Sequence, residues 1–371
     1  MLPKINFDSS PQFVEAFSVC LLNCPCTDDD LEAALVTILK SSLFTSNDYV
    51  NFCAQCILSI CARSESFKES HILELLEVIL RIGENGDPIP IFKSSFNKPI
   101  EEIIGENIVG LLSLKGKSSR FIEQVLMNSP DKFIKENNDL VCSTIVSGLL
   151  GFNSRTVMYR LVSQLCNKGC IVHCSDELLQ SVLDDMIWTS GNESVPTREG
   201  ATVAIGSLIR SGALDQSQTT GKINEIFAMT LSSMDDSTSD LVRSSGIVSI
   251  KEVLMRCECR ENHILRLFES LKERLTDSLM NVRVGAADLL CMLLPRIDNN
   301  EVIGKLHDVL IFIDDESVEM RESISRLTLM LSELPKWREA VIESLKKIEK
   351  ECYHKESEKL TKELLIKISS K

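Results

Sequence analysis

The chain is poor in the residues that break and turn a backbone: 16 Gly and 10 Pro among 371 residues, about 7% together, against roughly 12% in an ordinary chain. Sandwiches and barrels need such a turn about every 8–12 residues, so all-β architectures are disfavoured. Aromatic residues are scarce as well, at 5% with two Trp and three Tyr, while 44% of residues are hydrophobic. Aliphatic side chains must therefore build the core, and that much apolar content excludes general disorder. No apolar run is long enough to cross a bilayer. The longest uncharged stretches, Tyr49 to Ala62 and Leu140 to Ser154, fall short of the ~20 residues required and carry Asn, Gln, Ser or Thr. They read as buried core helices.

Other absences narrow the chemistry. Met1 to Cys20 lacks the unbroken apolar stretch and small-residue cleavage site of a secretory signal, so it is expected to stay in place. Fourteen cysteines without such a signal are expected to be reduced, small hydrophobes in the cytoplasm or nucleus rather than a disulfide framework. Positive charge is in deficit, with 40 Lys and Arg against 54 Asp and Glu, a net −14. That sign repels a phosphate backbone, which disfavours nucleic acid as a partner. The exception is 336–371, where nine Lys and one Arg outnumber seven Glu.

No motif for catalysis or cofactor binding is present. The histidines His71, His173, His263, His307 and His354 are scattered, with none in a nucleophile elbow or triad context. Gly110 to Gly116 lacks the Lys-Ser/Thr ending of a phosphate loop. The one tempting metal cluster is Cys166, Cys170, His173 and Cys174, thiols and imidazole on what would be neighbouring helical turns. It lacks the second ligand pair of a structural zinc site, and Gly169 interrupts it. Cys53, Cys56 and Cys61 have redox-motif spacing but lie in an apolar stretch without a preceding strand, and Cys20, Cys24, Cys26, Cys257 and Cys259 read as packing residues.

What is present is helical periodicity almost throughout. Apolar spacing, caps and breakers predict helices at 11–24, 29–42, 47–62, 67–82, 98–113, 118–128, 138–151, 154–167, 175–189, 197–211, 219–233, 239–256, 261–275, 280–294, 299–313, 317–333, 336–352 and 355–369. All ten prolines sit at or beside these boundaries. The Gly- and Pro-bearing stretch 83–99 is the extended interruption, a hinge or protruding loop.

Inside this pattern a unit repeats. Asp236 is followed by Arg243, Asp277 by Arg283 and Asp315 by Arg321. At fixed offsets before each Asp stand Ile223, Phe227 and Met234; Ile264, Phe268 and Leu275; and Val302, Leu306 and Ile313. After each Arg come Gly246 and Val253, Ala286 and Leu293, and Ile324 and Leu331. Arg198 matches with Ala201 and Leu208, and Arg155 with Met158 and Leu165. A period near 40 residues with two helices per unit marks a solenoid, because one helix pair cannot bury both of its apolar faces.

The strings "DDSTSDLVRSSG" from Asp235, "DSLMNVRVGAADLL" from Asp277 and "DDESVEMRESI" from Asp314 resemble the HEAT-repeat branch of the HEAT and armadillo superfamily. The resemblance is clearest over 154–333 and departs at Thr197 and Met320, where the family has Val before Arg. It implies an all-α, right-handed α-solenoid of roughly nine stacked antiparallel helix pairs, one array over 1–371 closed by capping helices at 336–371. It also implies a ladder of contacts between neighbouring repeats through Asp236, Arg243, Asp277, Arg283, Asp315, Arg321 and Arg198. The function expected is a non-enzymatic scaffold or adaptor without a cofactor, binding proteins with basic or helical segments on a curved surface. The alternatives are a Cys/His metal-binding or redox-sensing protein, or a carrier or chaperone cofactor of the same fold.

Overall fold

The computed structural model describes residues 71–83, 98–150, 152–189 and 194–370, together with Thr27, Phe96 and Gly191. The helices expected at 11–24, 29–42 and 47–62, the cysteines from Cys20 to Cys61, and all of the 83–99 stretch but Gly83, Phe96, Lys98 and Pro99 lie outside these residues. The chain divides into two compact units, Met1–Leu178 and Leu179–Lys371. The described residues form helices and short 3-10 turns, with no strand among them, and the architecture is an all-α solenoid.

The first unit contains α1 (Ile72–Gly83), α2 (Ile100–Glu106), α3 (Ile108–Ser113), α4 (Ser119–Asn128), α5 (Asp131–Glu136), α6 (Asn138–Gly148) and α7 (Phe152–Asn167). Within it α4 packs against α1 and α7, and α6 against α7. Helix α8 (Asp176–Asp185) spans the division between the units.

The second unit continues with α9 (Val195–Ser211), α10 (Gln216–Gly221), α11 (Ile223–Met234), α12 (Asp240–Arg256), α13 (Glu261–Arg274) and α14 (Met280–Leu293). It ends with α15 (Asn300–Gly304), α16 (Leu306–Leu310), α17 (Val318–Ser332), α18 (Pro335–Glu351) and α19 (Lys355–Ser369). Helix pairs α11/α12, α13/α14 and α18/α19 pack internally, and α9, α12, α14, α17 and α19 lie side by side in one layer.

Local chemistry explains the boundaries. Ser118, Ser239 and Ser317 accept hydrogen bonds from the backbone amides of Phe121, Val242 and Met320, and Asp215 with Gln218 forms a reciprocal capping box. Pro99 and Pro130 precede helices, Pro196 and Pro335 lie in first turns, and Pro295 follows α14 in a 3-10 turn. At these positions a missing amide donor costs little. The repeat-equivalent apolar residues converge: Ile223, Ile264 and Val302, then Phe227, Phe268 and Leu306, then Met234, Leu275 and Ile313 are all buried.

The structure differs from the periodicity at three bends and at one added helix. The continuous helices expected at 98–113, 219–233 and 299–313 are interrupted at Asn107, Lys222 and Lys305, whose backbones leave the helical well at φ −104°, −106° and −90° with ψ near 10° or below. The apolar spacing runs on through each bend, so nothing in it marks the break. At Asn107 the side chain donates to the Ile103 carbonyl at 2.8 Å, supplementing the helical ladder where it bends. The short helix α5, started by Pro130, falls where the pattern left a loop.

Candidate functional site

The most ordered polar feature is a row of arginine–carboxylate contacts at the turns within the second unit. Arg198 at the start of α9 is 2% exposed, and its guanidinium meets Asp236 through Nε at 3.1 Å and Nη2 at 2.9 Å. It also donates to the Thr189 carbonyl at 3.1 Å and to Thr238 Oγ1 at 3.0 Å. Arg243 on α12 grips Asp277 in the same way, with Nε at 2.7 Å and Nη2 at 3.2 Å. Arg283 on α14 approaches Asp315 more loosely, at 3.6 Å. Arg321 on α17 reaches Glu356 at 2.9 Å in the first turn of α19.

A second set of bonds ties each arginine to its own turn. Arg243, Arg283 and Arg321 donate to the backbone carbonyls of Asp236, Asp277 and Asp315 at 3.0, 3.0 and 2.8 Å. Arg155 makes the comparable bond to the Leu149 carbonyl at 3.2 Å. The carboxylates meanwhile cap their turns: Asp236 accepts from the amides of Thr238 and Ser239, Asp277 from Leu279 and Asp315 from Ser317. Burial pushes the Asp236 carboxyl upward, but the Thr238 and Ser239 hydrogen bonds and the Arg198 charge outweigh it and hold the group below its ordinary range. Asp277 is likewise held low, burial being outweighed by Arg243, the Leu279 amide and Arg274. Pairs this well bonded can sit out of water.

The Cys/His group is drawn apart. Gly169 adopts φ +65°, a left-handed conformation that terminates α7, with the Cys170 amide closing back on the Leu165 carbonyl at 2.8 Å. Cys166, Cys170 and Cys174 are buried, whereas His173 faces solvent. Burial pushes the Cys170 thiol up to about 11, with the Asp131 carboxylate adding to it. No group of three or more His, Cys, Asp or Glu able to hold a metal ion occurs among the described residues. What organises this loop is Asn138, a residue the sequence pattern does not single out: its amide donates to the His173 carbonyl at 2.7 Å and its oxygen accepts from the Val172 amide at 3.1 Å.

The layer of second helices offers a broad surface. Val203 on α9 and Val248 on α12 stand exposed beside a shallow groove completed by Gly206, Ser207, Ser244 and Ser249. Helices α9 and α12 approach closely here, since a Cβ added at Gly206 would lie 3.2 Å from the Ser249 Cα. Farther along, the same layer becomes polar, with Arg326 bonded to Asp288 at 2.9 Å. Trp337 is fully buried at the start of α18, and Trp188 is 49% exposed. No helix among the described residues is long and apolar enough to cross a membrane.

Residues 157–294 match the family described as GCN1-like, C-terminal HEAT repeats, a little over a third of the chain. Comparison with curated proteins finds no match. Among solved structures, an engineered protein superposes with a TM-score of 0.55 at 13% identity, covering 97% of this chain and 95% of its own. Computationally designed armadillo repeat proteins for modular peptide recognition align with a TM-score of 0.41 at 18% identity, over 61% of this chain and 99% of theirs. Residues 157–294 are thus similar to HEAT repeats, and the chain shares an all-α fold with the engineered protein.

Proposed function

We propose that this protein is a non-enzymatic scaffold or adaptor whose partners are proteins with basic segments, and that 1–371 works as one array. The observation that carries the reading is the side-by-side packing of α9, α12, α14, α17 and α19, which makes one multi-repeat surface while arginines and aspartates are consumed between the repeats. A surface of this kind recognises peptides and helices through shape and charge without moving covalent bonds. The net charge of −14 supports a basic partner and a salt-sensitive association. The Asp–Arg contacts are assigned a structural role: they hold register and do not themselves bind the ligand. Affinity purification of the tagged full-length protein from its native extract, with crosslinking and mass spectrometry, tests the proposal. A stoichiometric protein partner crosslinked to several repeats is expected; retention of no protein at low or moderate salt sinks it.

A further inference from the structure

Within the second unit, each of five successive helix pairs places at least one large apolar or aromatic side chain in solvent where its first helix turns into its second. Among them are Trp188 between α8 and α9, Leu241, Met280 and Val318 at the starts of α12, α14 and α17, and Tyr353 between α18 and α19; these five are 44% to 93% exposed. Single exposed apolar residues are commonplace, but at least one in the same inter-helix turn of every repeat makes a row.

Contacts between consecutive turns show that these turns are neighbours. Arg198 Nη2 reaches Thr238 Oγ1 in the next turn at 3.0 Å, and Arg243 reaches Asp277 at 2.7 Å. Ser317 Oγ lies 3.3 Å from the Met280 sulfur, and the Tyr353 amide donates to Asp314 at 2.8 Å. The charges of this edge are asymmetric. Arg198, Arg243, Arg283 and Arg321 turn inward and are 15% exposed or less, while Asp240, Glu316 and Glu319 face solvent. Lys355 is an exposed cation at the far end.

We propose that this turn edge docks a basic, extended segment of a partner protein that carries an apolar residue at every third position. The inference rests on the scaffold reading and names the surface it uses. Spacing selects the conformation: neighbouring packed helices stand about 8–10 Å apart, and a polyproline-II chain, rising 3.1 Å per residue with three residues per turn, returns the same face about every 9.3 Å. Each third side chain of such a segment then meets one member of the row. Lys or Arg at the intervening positions faces Asp240, Glu316 and Glu319, which adds salt-sensitive attraction.

The probe is a fluorescein-labelled peptide of five Leu-Lys-Pro repeats, titrated into the full-length protein by anisotropy beside a shuffled peptide of identical composition. The in-register peptide is expected to bind at least about tenfold tighter than the shuffle, as central apolar anchors require. The triple variant Leu241→Ser, Met280→Ser, Val318→Ser is expected to erase that difference with its helical circular dichroism unchanged, since all three side chains are exposed. Equal affinity for both peptides, or undiminished discrimination by the triple variant, overturns the proposal. A native partner that crosslinks only to the Val203–Val248 groove also overturns it, yet leaves the scaffold reading standing.

Discussion

Arg243 holds the carboxylate of Asp277, 34 residues downstream, by two hydrogen bonds, and with its remaining terminal nitrogen it bonds the backbone carbonyl of Asp236 in its own turn. One side chain thereby closes the turn of one repeat and clamps the turn of the next. The two jobs are inseparable, because the fork of the guanidinium presents its donors in fixed directions.

Breaking the most buried of these pairs should be expensive. Asp236→Asn leaves the Arg198 guanidinium, 2% exposed, without its counter-charge. A loss of about 3–5 kcal/mol is expected in urea denaturation, the cost of stranding a buried charge. Glu356→Gln is the contrast: this carboxylate is 81% exposed, and its pairing with Arg321 is worth under about 1 kcal/mol.

Acid should loosen the second unit through the same residues. Asp236 and Asp277 are held below their ordinary range in the folded protein. Groups of this kind contribute stability above the unfolded aspartate value of about 3.9, and that stability is lost as pH falls through the lower folded values. Unfolding free energy measured from pH 7 downward is therefore expected to fall most steeply below about pH 4, with a shallower acid limb for Asp236→Asn. Equal acid limbs would contradict this assignment.

Backbone proximity makes Gly246 intolerant. A Cβ there would lie 2.4 and 2.6 Å from the amide nitrogen and Cα of Met234, atoms that cannot rotate away. Gly246→Ala is expected to destabilise by at least about 1–3 kcal/mol through overpacking. Gly304→Ala meets nothing within 4 Å and should be neutral or stabilising by up to about 1 kcal/mol. Thermal melts of the two variants should move in opposite directions or differ by several degrees.

Asn138 predicts a local effect. Removing its amide by Asn138→Ala leaves the Val172 amide and the His173 carbonyl without these bonds. About 0.5–1.5 kcal/mol is expected, the net worth of such bonds where Val172 and His173 remain open to water. Hydrogen exchange should show protection falling at Val172 and His173 first, with α9 to α19 unaffected.

The repeat and its Asp and Arg positions are legible in the sequence because a helix and its turn have fixed lengths, so side chains with the same task recur at the same offset from the apolar face. Ile223, Ile264 and Val302 or Gly246 and Ala286 can be aligned without any coordinates. The bends at Asn107, Lys222 and Lys305 are not legible, since the apolar period runs on through all three. Asn138 is hidden for another reason: its partners lie 34 and 35 residues away in a loop, beyond the reach of any local pattern.

The sequence by itself determined an all-α repeat architecture, through scarce turn residues, aliphatic periodicity and a unit of about 40 residues. Tertiary structure decided which arginine meets which carboxylate, that Cys166, Cys170 and Cys174 are buried while His173 faces solvent, and that Trp188, Leu241, Met280, Val318 and Tyr353 are exposed at successive inter-helix turns. The reason is physical: helix periodicity is a property of neighbours along the chain, whereas pairing between repeats depends on how two surfaces about 40 residues apart come to rest against each other.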